Sequence, residues 1–264
     1  MAEQLGPAGE QAARKALELW LEGKPGETSA TAVFWDLPCG GQDGTCEGHD
    51  PFQWTNLAKP DGWMRLSHFL AVGCVSAREI FARAMGSPTF SGCAHRLLWR
   101  EFHRMNAICW GRRLFWLQGP GYVERPWSWD YTLSEAWKEG KTGVPYIDAC
   151  MRELKQTGWL AYKGRKTTAF FLVFGLGIDW RLGAFHFEEV LLDYDVAMNY
   201  GNWVVVAEVD KPKRGRRSSD QSSLEELLQD RREDLGWKLT SERVNDPEGS
   251  YLRRWLPELA SVAA

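Results

Sequence analysis

Helix boundaries are the plainest constraint on what this chain can fold into. Ser76-Ala-Arg-Glu79 and Thr132-Leu-Ser-Glu135 share a form in which a hydroxyl at a helix start accepts a backbone N–H and a glutamate three residues on reaches back. Gly86 and Gly140 stand where those helices should stop, because closing a helix in a left-handed conformation suits glycine. Pro145 reads as a first-turn proline, with no N–H to waste there, and Gly158 closes the same segment. Over 10–22, Ala13, Ala16, Leu17 and Trp20 recur at helical spacing, and another helix is expected from Trp159. Residues 36–62 are rich in glycine and proline without periodicity, which predicts an irregular connection. No stretch alternates long enough for a sheet and no segment repeats. The expectation is an all-α protein, one helical domain over 8–260.

Composition removes several function classes. With 264 residues and 44% apolar content, a substantial core is available. The longest uncharged apolar run, 167–178, is too short and too broken by glycine to span a bilayer, and the first ten residues carry no secretory signal. A soluble intracellular protein is therefore expected, its compartment open, a plastid or other organelle included. The balance of 32 basic and 35 acidic residues creates no global field toward nucleic acid. Six cysteines form no C-x-x-C pair and five histidines show no H-x-x-x-H spacing, so neither a disulfide framework nor a metal site is expected. Gly140-Lys141-Thr142 imitates the end of a phosphate-binding loop, but Glu135 occupies the place of its first glycine. Tryptophan is the outlier, with 15 in the chain, because each indole needs room and a partner for its N–H. From Lys211 the character changes: five basic residues in seven positions, a serine-rich hinge, then an acidic amphipathic helix capped by Ser223 and Glu226. This stretch, 211–236, reads as a charged insertion, either a solvated surface element or a docking one.

Residues 158–203 carry the chemistry. A helix beyond Trp159 brings Arg165 inward, and the polar turn of Asp193 to Asn202 meets it. An arginine and an aspartate together in an apolar helical body satisfy each other, whereas either alone is costly. A polar pocket walled by tryptophans, offering a carboxylate acceptor and amide groups, suits a planar heterocycle with N–H and C=O edges, such as an isoalloxazine.

The segments "RLSHFLAVGCVSAREIF", "LLWREF", "EAWKEGKTGVPYIDACMREL", "GIDWR", "DYDVAMNYGNW" and "DPEGSYLRRWLPEL" occur in order. They resemble the FAD-binding domain of the photolyase/cryptochrome family, and the DASH cryptochromes above all. The resemblance implies a helical domain holding FAD in a bent conformation with the flavin deep inside. It implies that Asp193 accepts from the flavin N3–H, that Arg165 pairs with Asp193, that Asp195 lies near the ribityl or ribose side and that Asn199 faces flavin N5. It implies Ser67 and Arg100 as phosphate contacts. It places Trp203, Trp180 and Trp127 on the positions that pass an electron from the surface to excited flavin, with Trp129 a rival for the outermost place.

Departures from the family pattern accompany the matches. Trp63 and Met64 stand where two hydroxyl residues usually contact the pyrophosphate, and Tyr162 and Tyr200 replace asparagines near the flavin. Arg96 stands where repair enzymes carry a glutamate that binds a flipped lesion, Val205 replaces an aromatic wall residue beside the retained Trp99, and Ala161 and Tyr162 replace a histidine pair. The family's N-terminal α/β antenna domain is not seen before Glu10. Two readings follow: a non-repair blue-light or redox-active flavoprotein working through a partner, or a structural subunit of a larger, possibly photosynthetic, assembly on a photolyase-like scaffold. DNA repair, and with it nucleic-acid binding, is third. The partner faces expected are the surface left by the antenna domain and the insertion 211–236.

Overall fold

The structure, a computed structural model, describes residues 8–21, 66–85, 90–211, 246 and 249–261. Among these residues the regular structure is helical, with one parallel bridge between Ser128 and Ile178. The glycine-rich connection, Trp63, Met64 and all of the charged insertion beyond Lys211 lie outside the described residues.

Helix α1 spans Glu10–Leu21 and buries Ala13 and Leu17. Helices α2 (Ser67–Ala71) and α3 (Ala77–Ala84) follow, and Ser76 caps α3 as expected, its hydroxyl accepting the Glu79 N–H at 3.0 Å. The long α4 (Phe90–Trp110) continues into a 3₁₀ turn at Gly111–Phe115. Helix α5 (Tyr131–Lys138) corrects the sequence reading: its cap is Asp130, not Thr132, and the Asp130 carboxylate accepts from the N–H groups of both Thr132 and Leu133. An ionised acceptor for two orphan donors outcompetes a single hydroxyl two residues later.

Helix α6 runs Pro145–Thr157 and ends at Gly158 with φ +69°, the bracket expected from the sequence. Within it, buried Asp148 folds the preceding turn back on itself by accepting from Thr142 N (2.7 Å), Thr142 Oγ1 (2.7 Å) and Gly143 N (2.9 Å). Helix α7 covers Tyr162–Phe170, three residues later than expected, because left-handed Gly158 and the Thr157 hydroxyl, which accepts the Trp159 N–H, hold 158–161 as a turn. It widens into a π turn at Phe171–Gly175. Helices α8 (Trp180–Val190) and α9 (Val196–Val206) are capped by Asp179 and Asp195. Helix α10 (Ser250–Trp255) lies against α6, where Tyr251 donates to Glu153 and Arg152 pairs with Glu258 at 2.6 Å.

Two apolar clusters result. The larger gathers Ile147, Met151, Leu154, Leu160, the Phe171–Phe174 turn, Trp137, Trp180 and Trp203. The smaller joins α1, α3 and α4 through Leu17, Leu66, Ile80 and Leu97, together with Trp159. Helix α9 approaches both neighbours closely because glycine stands at each crossing. A Cβ at Gly201 would overlap the His103 imidazole on α4, and one at Gly183 of α8 would overlap the Trp203 ring and lie 2.5 Å from Leu172 Cδ2. Among the described residues no helix is long and apolar enough to cross a membrane.

Candidate functional site

A cleft opens between the start of α2, the middle of α4, the 159–169 segment and the inner face of α9. It holds about 1000 Å³ free of atoms, its mouth and the open solvent there included. Its wall is largely apolar, from Leu70, Trp159, Leu160, Phe187, Met198 and Trp203. All six residues expected to hold a cofactor, Ser67, Arg100, Arg165, Asp193, Asp195 and Asn199, line this one cavity although they span more than 130 positions of sequence.

Arg165 and Asp193 meet as expected. Arg165 Nη2 lies 2.9 Å from Asp193 Oδ2, while Nε donates to the Leu160 carbonyl at 2.6 Å, so the guanidinium is fixed at two points. The Asp193 side chain is 5% exposed and that of Arg165 23%. Asp193 Oδ1, the other carboxylate oxygen, is buried without a hydrogen-bond partner. A buried carboxylate oxygen left bare costs free energy, and an N–H donor from a ligand in the cavity removes that cost. This is the polar edge that an isoalloxazine N–H fits.

Asn199 is buried, and its Nδ2 donates to the Ala184 carbonyl at 2.9 Å. One of the two amide N–H donors is therefore committed to the helix behind it, which leaves the second N–H and the acceptor Oδ1. Asp195 serves first as the cap of α9, Oδ1 accepting from Ala197 N and Met198 N, with Oδ2 3.8 Å from Arg100 Nη2. Arg100 is buried along its stem and pairs with Glu101 at 3.0 Å.

The three tryptophans are placed differently. Trp203 forms part of the cavity wall, packed edge-on against Phe187 (centroids 5.2 Å) and Trp137 (6.3 Å). Trp180 is fully buried outside the lining, its indole N–H donating to the Leu117 carbonyl at 3.1 Å. Trp127 is half-buried with an indole N–H lacking a hydrogen-bond partner. Trp129, the rival, is half-exposed beneath the Arg181 guanidinium (5.7 Å), which Asp179 holds in a forked pair.

Tyr162 lines the cavity, as its place in the sequence suggested. Tyr200 does not: its phenol donates to Glu188 Oε2 at 2.9 Å, outside the lining. The reason is helical phase, since 195, 198, 199, 202, 203 and 206 share one face of α9 and residue 200 turns toward α8. That same spacing could have found Met198, Asn202 and Val206, cavity residues the sequence reading passed over. Tyr194, also missed, lines the cavity, and burial with the nearby Glu188 pushes its phenol up to about 12. Beneath the site His103 is fully buried between α4 and Gly201, and that burial lowers it to about 4 despite Asn202 and Asp195. Arg96 is buried and Trp99 stacks on Phe102 at 5.1 Å.

Comparison with known proteins agrees with this geometry. The profile of the family described as the FAD binding domain of DNA photolyase matches residues 93–264, well over half of the chain. Cryptochrome DASH of Xenopus laevis is 39% identical over 206 residues, covering 75% of this chain and 36% of its own length. Cryptochrome DASH of Gloeobacter violaceus is 38% identical over 253 residues, 92% of this chain and 46% of the relative. The crystal structure of a Synechocystis sp. cryptochrome superposes with a TM-score of 0.71 at 30% identity, across 97% of this chain and 47% of that one. An archaeal photolyase from Sulfolobus tokodaii, solved with two FAD molecules, gives 0.64 at 27% identity, across 97% and 48%. The chain thus spans between about a third and a half of the length of these relatives. It belongs to the photolyase/cryptochrome family and carries that family's helical FAD-binding domain.

Proposed function

We propose that this chain is a blue-light- or redox-responsive flavoprotein that signals to a partner protein and does not repair DNA. The observation that carries the proposal is the bare, buried Oδ1 of Asp193, held beside Arg165 in a cavity with Trp203 in its wall. FAD, when bound, supplies blue-light absorption and one-electron redox chemistry. The chain's own residues do the remaining work. Asp193 offers an acceptor for a ring N–H, Arg165 fixes that carboxylate, and Asn199 presents an amide oxygen. Arg100 and Ser67 lie within the same lining as donors for phosphate oxygens. The apolar wall keeps water from the ring, and Trp203 and Trp180 are oxidisable indoles in and behind that wall.

Two features favour signalling over repair. Arg96, buried on α4, has donors only and cannot accept from the N–H of a flipped base, and Val205 gives no stacking face. On the same helix Leu98, Phe102, Met105 and Ile108 form an exposed apolar row, more than scattered surface residues amount to, which supports a protein partner there. The test is the visible spectrum of the purified protein in the dark and under blue light with a reductant. Flavin bands that bleach in wild type but not in Trp203→Phe support the proposal. A colourless folded protein that refuses added FAD overturns it and leaves a scaffold, and light-dependent removal of pyrimidine dimers overturns the non-repair part.

A further inference from the structure

Tyr200 stands apart from the cavity yet is built into a redox-competent setting. Its ring lies edge-on to Trp180, centroids 6.3 Å apart at 80°, and on its other side meets Phe115 at 4.7 Å. Its hydroxyl donates to Glu188 Oε2 at 2.9 Å. Tyr194 faces the same carboxylate from the loop before α9.

A phenol and an indole lose electrons differently. The phenol cation radical is a very strong acid, so tyrosine gives up an electron at moderate potential only where a base takes the Oη proton in the same event. An indole can hold the positive charge for a time, and the Trp180 N–H is committed to a backbone carbonyl, which does not accept a proton. Glu188 is a base already hydrogen-bonded to the phenol, the placement that proton transfer requires.

We infer that Tyr200 and Glu188 together form a proton-coupled electron donor to oxidised Trp180. One electron passes from Tyr200 to the Trp180 indole cation radical, restoring the neutral indole. The Oη proton moves to Glu188 Oε2, leaving a neutral tyrosyl radical beside a neutral carboxylic acid. The oxidant that first empties Trp180 is of the excited-flavin class, so the physiological use of the pair rests on the function proposed above. Burial and the bond to Glu188 raise the Tyr200 phenol above its ordinary range, so the resting pair keeps its proton on the tyrosine. The uncharged products lack the Coulomb attraction that would hurry the electron back. Phe115, which packs on Tyr200, is partly exposed, so the radical would form near the surface, within reach of an external reductant.

The experiment is pulse radiolysis of this 264-residue chain with azide radical, which oxidises indoles and needs no flavin. In wild type a first-order, concentration-independent phase should convert indolyl into tyrosyl absorption. Tyr200→Phe should abolish that phase, and Glu188→Gln should slow it about 100-fold, the lower end of what a positioned base contributes. A phase that survives in Tyr200→Phe, or is indifferent to Glu188→Gln, overturns the inference, as does its absence from wild type. If Tyr200→Phe fails to fold, Glu188→Gln alone decides. Flavin bands in the same preparations report separately on the cofactor: their absence sinks the photochemical function and leaves the radiolysis result standing.

Discussion

Replacing Asp193 by asparagine separates what the carboxylate does for the fold from what it does for a ligand. The amide oxygen can take over the bond from Arg165 Nη2, now 2.9 Å from Oδ2, but Nδ2 then occupies the place of Oδ1. A donor then stands where a buried, unpartnered acceptor stood. The fold loses the charge on one side of a pair in which Arg165 keeps its bond to the Leu160 carbonyl and is 23% exposed. Removing a partner from a fully buried pair costs about 3–5 kcal/mol, so about 1–2 is expected here, where an acceptor remains and solvent reaches the arginine. The ligand loses a hydrogen bond to a charged group, about 1.5–3 kcal/mol, and gains a donor–donor clash, which together weaken binding by at least about ten- to a hundredfold. Fluorescence titration of flavin into the stripped protein measures the second quantity, and thermal melts without flavin measure the first. Wild-type flavin affinity in Asp193→Asn would refute the assignment of Oδ1 as the ring acceptor. So would an affinity loss fully explained by a collapsed melting temperature.

Three further outcomes are expected. Gly183→Ala drives a methyl into the Trp203 ring and Leu172. Overpacking of about 1–3 kcal/mol should outweigh the helix-propensity gain of at most about 1, so the melting temperature falls and Trp203 fluorescence shifts as its ring is displaced. Asp148→Ala strips acceptors from two backbone N–H groups and a hydroxyl in a turn that solvent partly reaches, so water makes good part of the loss and the cost in urea unfolding should be about 1–3 kcal/mol. His103 and His186 are both lowered from 6.5 to about 4, chiefly by burial, so the unfolded chain binds more protons between those values. Stability should then be lost as pH falls from 6.5 toward 4. The fully buried His103 accounts for about 3 kcal/mol of that, and His103→Asn should flatten the urea-midpoint profile over the window.

Much of the fold was legible because helix ends are local chemistry. Ser76, Pro145 and Gly158 act through their own backbone neighbours, and the structure places them as the sequence implied. Thr132 and Trp159 misled for a related reason. At both places two residues compete for one boundary, and the winner depends on partners a pattern does not weigh: a carboxylate two residues upstream in one case, a hydroxyl and a left-handed glycine in the other. Capping boxes rank candidates without counting the orphan donors each can reach.

The site divides along another line. Residues that meet across long sequence distances, Ser67 and Arg100 with Asp193, came from the resemblance, since no spacing rule joins α2 or α4 to α9. Those within α9 needed only its phase. Once Asp195 and Asn199 are set on the inner face, 198, 202, 203 and 206 follow, and residue 200 is turned about 100° away. Reading Tyr200 as a flavin neighbour treated nearness in sequence as nearness in space, whereas one helical step carries it from the cavity to Glu188 and Trp180. The same step puts an acidic group beside a phenol on the far side of the indole Trp180. The helix that presents acceptors to the cavity thereby presents an electron donor to the layer behind it, and Asn199→Asp should perturb the first while leaving the Tyr200 radiolysis phase intact.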